Sequence, residues 1–226
     1  MIKNISNLGD SAIYCDFGPE VSKKVNLNVI KYFQTLREKK IKGITNISPS
    51  YNKLIITFDL EIINYNDLRQ QIYKLNIDQI NEIESKKISL PICISEEFAL
   101  DIENISNKTK LTIKEIYNNI FNKEFYCYMT GFIAGMPFLG DTNEKIRLKR
   151  LDTPRIKVPK GSIGITEQFC NIYTYESPGG WNIIGNTPAK IFNKFDEKKP
   201  ILINPGDIVE FYEISKKEFN QLKIKI

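Results

Sequence analysis

Three stretches of this chain combine glycine, proline, aromatic and cationic side chains at spacings suited to ligand chemistry. The first, Gly131-Phe132-Ile133-Ala134-Gly135-Met136-Pro137-Phe138-Leu139-Gly140, follows a strand-like run. Its glycines let a backbone come close to a ligand, and Phe132, Met136 and Phe138 would wall a pocket. The same composition also suits a barrel corner with buried aromatics, and composition leaves both readings open. The second, Thr153-Pro154-Arg155-Ile156-Lys157-Val158-Pro159-Lys160-Gly161-Ser162, is extended and proline-stiffened. It displays Arg155, Lys157 and Lys160 for a carboxylate or phosphate, with Arg155 able to bind in bidentate fashion. The alternative is a solvated strand edge protected from pairing by proline and lysine. The third, Ser177-Pro178-Gly179-Gly180-Trp181, places Pro-Gly at the centre of an expected type II turn beside the chain's one tryptophan. There Gly180 either frees backbone hydrogen bonds for a ligand, with Trp181 as a stacking wall, or serves the turn alone. Asn204-Pro205-Gly206-Asp207 reads as a further turn.

What is missing narrows the chemistry further. The chain contains no histidine, which removes Ser-His-Asp and Cys-His nucleophile arrangements and every imidazole metal site, so no metal site is expected. There is no G-x-x-x-x-G-K-[ST] phosphate loop and no strand followed by G-x-G-x-x-G. The 32 basic residues against 27 acidic ones are mostly lysine in an Ile- and Asn-rich chain, which argues against nucleic acid as a partner. Cys15, Cys93, Cys127 and Cys170 are widely spaced in apolar surroundings and read as reduced core thiols. No apolar run reaches the length of a membrane span and the first residues do not resemble a signal peptide, so the expected location is the cytoplasm, with no membrane partner.

The elements that must position these stretches fall into two groups. Ser11–Phe17 reads as a strand closed by Gly18-Pro19. Val21, Val25, Val29, Phe33 and Leu36 line one face of a helix from about Val21 to Lys39, stopped by Gly43. Strands at Ile44–Ser48 and Leu54–Phe58 flank a turn at Pro49–Asn52. A second helix is expected over Tyr65–Ile83 with Asn64 or Asn66 as cap, and a strand over Lys87–Ile94. The order β-α-β-β-α-β over about 90 residues predicts a split β-α-β domain. Beyond Ser95 the pattern predicts short helices at Ile102–Lys108 and Thr112–Phe121. Short strands then follow at Phe125–Thr130, Ser162–Thr166, Asn171–Tyr175 and Ile208–Ile214, punctuated by Gly and Pro as in a closed or nearly closed β-barrel. The expected fold class is therefore α+β, with an N-terminal α+β domain at residues 1–86 and a β-barrel domain at residues 87–226.

The motif set resembles the allophanate hydrolase subunit 1 family, also called carboxyltransferase domain, subdomain C and D. It comprises Gly131-Phe132, Gly135 to Gly140, Thr153-Pro154-Arg155, Val158-Pro159, Gly161 to Ile165, Ile172-Tyr173, Ser177 to Trp181, Ile184-Gly185 and Thr187-Pro188. Leu8 to Ala12, Lys53 to Ile56 and Pro205-Gly206-Asp207 extend the likeness over nearly the whole chain. The resemblance implies a cyclophilin-like barrel and a place in an ATP-dependent 5-oxoprolinase-type hydrolase complex that opens 5-oxoproline to glutamate. ATP would bind at a site shared with a partner, and the partners would be a subunit 2 type protein and a lactam-hydrolysing subunit. It implies, as alternatives, a non-catalytic Kip-type inhibitor of a sensor histidine kinase or the carboxyltransferase part of a urea or allophanate enzyme. The substrate-binding residues carried over are Gly131, Phe132, Gly135, Pro137, Phe138, Arg155, Pro159, Gly161, Ser162, Tyr173, Ser177, Pro178, Gly179, Gly180 and Trp181, with no catalytic residue assigned. The chain departs from the family pattern at Ala134, Met136, Phe169-Cys170-Asn171 (for Gln-Thr-Gly) and Asn186 (for Arg). It departs again at Ala99-Leu100-Asp101-Ile102 (for Gly-Pro-Asp-Leu) and near Ile120, where a His is usual.

Overall fold

The computed structural model describes residues 1–77 and 85–224. The chain divides into two compact units, Met1–Glu84 and Ser85–Ile226.

The first unit holds β1 (Asn4–Asn7), β2 (Ala12–Asp16), α1 (Lys23–Lys39), β3 (Ile44–Pro49), β4 (Lys53–Phe58) and α2 (Tyr65–Tyr73). Its sheet order is β1-β2-β4-β3 with every neighbouring pair antiparallel. β2 and β3 therefore run parallel with β4 between them, which is the split β-α-β arrangement. The fourth strand is not the one expected, however. β1 takes the edge beside β2, and the strand beginning at Lys87 lies in the second unit. Along β4, Leu54, Ile56 and Phe58 are buried while the intervening residues are half-exposed. This period of two turns one face toward Val29, Tyr32 and Leu36 of α1. Full burial of each such aliphatic side chain is worth about 1.5–3 kcal/mol.

Ser22 caps α1 by accepting the Val25 N–H, and the helix ends at Lys40 in the left-handed region, φ 46°, three residues before the expected stop at Gly43. Asn26, fully buried on α1, donates from Nδ2 to the Ser50 and Tyr51 carbonyls at 3.0 and 2.7 Å and so fixes the β3–β4 turn. Asn64 caps α2, and this helix stops at Tyr73. The end of the helix expected over Tyr65–Ile83 lies outside the described residues.

The second unit holds β5 (Lys87–Ile92), α3 (Ile102–Thr109), α4 (Ile113–Phe121), β6 (Phe125–Thr130), β7 (Pro137–Gly140), β8 (Arg155–Val158), β9 (Ser162–Thr166), β10 (Phe169–Ile172), β11 (Ser177–Gly179), β12 (Asn182–Asn186), β13 (Ile208–Glu213) and α5 (Lys216–Ile224). Seven strands form one sheet in the order β12-β9-β10-β7-β6-β13-β5, in which β13 and β5 run parallel and the other neighbouring pairs antiparallel. Just past β5, the Cys93 N–H donates to the Asn186 carbonyl at 2.9 Å and the Asn186 N–H to the Cys93 carbonyl at 3.1 Å. This bridge between the two ends of the sheet makes a nearly closed barrel. β9 and β12 are buried at every position, as strands covered on both faces must be. The four thiols are free and buried.

Two local expectations change. β10 begins at Phe169, two residues earlier than expected. Thr166 pairs directly with Phe169 around a two-residue hairpin loop in which Glu167 has φ 45°. Ser177–Gly179 is a strand, not a type II turn: Ser177 pairs with Val158 and Gly179 with Arg155, with a register irregularity between them at Pro178. Gly179 lacks the positive φ such a turn requires, and proline at an irregular edge position sacrifices no ladder bond. The Asn204–Asp207 turn does form, with Gly206 at φ 99° and the Asp207 N–H donating to the Asn204 carbonyl at 3.0 Å.

Candidate functional site

β7, β10, the 131–136 loop and the approach to β12 enclose a cavity of about 110 Å³. Its loop side is held by three backbone bonds, from Gly131 N–H to Met136 O, Ile133 N–H to Gly131 O and Met136 N–H to Ile133 O. Gly135 has φ 69°, and a Cβ there would run into the Phe192 ring, so this position needs glycine twice over. Phe132 also has φ 66° and stands 75% exposed at the lip, a strained backbone for an aromatic residue.

The apolar walls are Met136, Phe138 and Trp181, with Phe138 set edge-on to Trp181 at 5.7 Å between ring centroids. The polar groups are Arg150, Asn171 and Tyr173. Arg150 is exposed, and its guanidinium carbon lies 5.9 Å from the Trp181 ring centroid. It is put there by a strap: the Leu151 N–H donates to the Gly180 carbonyl at 2.7 Å and Asn182 Nδ2 to the Lys149 carbonyl at 3.0 Å. Asn171 is 1% exposed, and its Oδ1 has no hydrogen-bond partner. Burial pushes the Tyr173 hydroxyl pKa up, opposed by hydrogen bonding from the Asn171 side chain, by the Arg150 charge, by the Trp181 backbone and by the Arg155 charge. A Cβ on Gly179 would overlap that hydroxyl, which is why glycine stands there.

The structure thus brings together Phe132, Phe138, Tyr173, Pro178, Gly179, Gly180 and Trp181 of the expected set. Gly131 and Gly135 shape the loop, and Pro137 opens β7 opposite Thr130. Ser177 lies in β11, its buried Oγ without a partner. Ser162 is buried in β9, accepting the Tyr173 N–H at its carbonyl. Pro159 and Gly161 face a different, larger cavity of about 440 Å³, with Tyr173 common to both. Arg155 lines neither; its Nη2 lies 2.6 Å from Asp101 Oδ1. Of the positions that depart from the family pattern, Met136 and Asn171 line the small cavity and Asn186 the larger one. Phe169 sets its ring edge-on to Tyr128, Cys170 is core, and the Ala134 carbonyl accepts from Thr174 Oγ1. Sequence reasoning missed Arg150, whose only local signal is its place in the basic run Lys149-Arg150 ahead of Pro154.

Among the described residues no carboxylate lines the small cavity. What it offers is an apolar corner made by Met136, Phe138 and Trp181 with a cation at the mouth, a set suited to binding rather than to proton transfer.

Residues 3–203 match the family described as carboxyltransferase domain, subdomain C and D, and the chain belongs to that family. It is similar to a 5-oxoprolinase subunit of Bacillus subtilis, 30% identical with 97% of this chain and 96% of that one covered. Among solved structures, the crystal structure of TTHA0988 superposes with a TM-score of 0.81 at 25% identity, over 90% of this chain and 40% of that one. The Kluyveromyces lactis urea amidolyase has the same fold, with a TM-score of 0.76 at 19% identity, over 96% of this chain and 15% of that one. Among the described residues no helix is long and apolar enough to cross a membrane.

Proposed function

We propose that this chain is a component of an ATP-dependent 5-oxoprolinase-type complex that opens 5-oxoproline to glutamate, in the place that the similar Bacillus subtilis subunit holds in its own enzyme. It would work with a subunit 2 type carboxyltransferase-domain protein and a lactam-hydrolysing subunit in the cytoplasm. The observation that carries this reading is the end-to-end match to the Bacillus subtilis protein, which leaves almost none of either chain uncovered.

The small cavity is chemically compatible with it. 5-Oxoproline is a small ring carrying one carboxylate and one lactam N–H. Arg150 offers its guanidinium to a carboxylate, and Met136, Phe138 and Trp181 supply an apolar wall for the ring. The cavity lacks a carboxylate of its own among the described residues, so general acid-base groups would come from a partner subunit. At about 110 Å³ it does not accommodate a nucleotide, so ATP would bind elsewhere in the complex.

The test is ATP-dependent glutamate formation from 5-oxoproline by the chain co-expressed with its partner subunits, each omitted in turn. Loss of glutamate on omitting this chain is the expected result. An assembled complex that makes none would overturn the proposal and favour the inhibitor reading.

A further inference from the structure

The larger cavity, about 440 Å³, is built by the Pro159–Gly161 loop, the segment after β12 and the C-terminal helix α5. Its charged lining has one sign. Lys160, Lys190 and Lys223 border it, and among the described residues no Asp or Glu does. Among those residues, too, none of the three lysines has a carboxylate within 4.0 Å. Their neighbours behave otherwise: Lys157 pairs with Glu176 and Lys216 with Glu97. Glu218 of α5 is occupied at the helix start, where it accepts from the Ser215 N–H and hydroxyl at 2.7 Å.

Three ammonium groups around one cavity repel one another, and each loses that penalty when a multiply charged anion sits between them. One polar group of the lining has a hydrogen to spare, whereas Asn186 Nδ2 and Thr174 Oγ1 already donate to the Lys160 and Ala134 carbonyls. Thr187 is buried, and its Oγ1 accepts the Ala189 N–H, which leaves the hydroxyl hydrogen to give. Gly161, at φ 83°, lies so close to Asn186 Oδ1 and the Thr187 carbonyl that any Cβ would displace them. The opposite wall is apolar, with Phe98 and Phe219 in contact at 4.5 Å between centroids. The volume lies within the range of small-molecule sites, well beyond the needs of a bare anion.

We propose that this cavity binds a small phosphate monoester, with the phosphoryl group among Lys160, Lys190 and Lys223 and the organic part against the Phe219 wall. A phosphate monoester carries close to two charges and three acceptor oxygens at neutral pH, which matches three point-charge donors; a carboxylate carries one charge. The proposal does not depend on the 5-oxoprolinase reading, since it concerns another cavity and is tested by binding alone.

The experiment is calorimetric titration of the full chain with phenyl phosphate and with benzoate, which differ in the anionic group and share the ring. Phenyl phosphate is expected to bind at least tenfold more tightly than benzoate and to weaken with added salt. Lys160→Gln, Lys190→Gln and Lys223→Gln should each weaken it roughly tenfold, and the triple variant should abolish it. Lys157→Gln, outside the cavity, should leave it unchanged. All four lysines are exposed, so the variants are expected to keep the wild-type circular dichroism spectrum. Equal affinity for the two ligands, no binding of phenyl phosphate, or a triple variant that binds like the wild type would each overturn the proposal.

Discussion

Asp101 Oδ1 lies 2.6 Å from Arg155 Nη2, and the other oxygen of the same carboxylate accepts the Ile183 N–H at 2.7 Å. One buried side chain at the start of α3 thus ties the β8 ribbon to β12. The cation that the sequence offers most plainly for a ligand is engaged inside the fold, and the cation left over the Trp181 ring is Arg150.

Removing Arg155 should therefore act on stability first. Arg155→Ala leaves the Asp101 carboxylate, 7% exposed, without its counter-charge. The expected loss is about 2–4 kcal/mol of unfolding free energy, measured by urea denaturation. Full stability combined with lost ligand binding would return Arg155 to the site.

Arg150 should act on the ligand. Arg150→Ala touches an exposed side chain and is expected to change the melting temperature by less than about 2 °C. The same substitution should weaken binding of 5-oxoproline roughly tenfold, read by Trp181 fluorescence. Trp181 is the chain's one tryptophan and lines this cavity, so its emission is the probe. Wild-type affinity in the variant would remove Arg150 from the proposed site.

Gly179 and Tyr173 should be energetically coupled. Gly179→Ala sets a methyl group against the Tyr173 hydroxyl and is expected to cost about 1–3 kcal/mol. In the background of Tyr173→Phe the clash eases, because the nearest remaining ring atom is 2.8 Å away rather than the hydroxyl. A double-mutant cycle should then return a coupling of at least about 0.5 kcal/mol; additive effects would show that the backbone shifts instead.

Stability should fall in alkali. Burial pushes the Cys15 thiol from 9.0 up to about 12 and raises Cys127 and Cys170 as well. These groups stay neutral in the fold, whereas the unfolded chain ionises them above about pH 9. Their stabilisation is therefore complete below pH 9 and is lost as pH rises toward 12, at about 1.4 kcal/mol per pH unit per group. Urea denaturation at pH 8, 9 and 10 measures this, and a flat profile would contradict it. The same burial predicts that the native chain resists thiol-directed reagents at pH 8.

Much of this protein is written in local pattern. The hydrophobic period specifies α1, and the turn chemistry specifies the Asn204–Asp207 corner. The glycine and aromatic motifs at 131–140 and 177–181 converge on one cavity, because the small residues that permit close backbone approach are themselves the signal. Pairing is another matter. Period and propensity say that Lys87–Ile92 is a strand but not that it lies parallel to β13, about 120 residues later. They do not show Asn4–Asn7, a four-residue strand of mostly polar residues. Whether Arg155 is free or bound depends on Asp101, 54 residues earlier, and whether Arg150 matters depends on the strap that lays it over Trp181. Residue types and spacing thus determined many of the elements, though not β7, β11, β12 or α5, together with the family and most of the cavity wall. Only the tertiary structure decided which charges are neutralised and which remain for a ligand, because that depends on distances between side chains far apart in the chain.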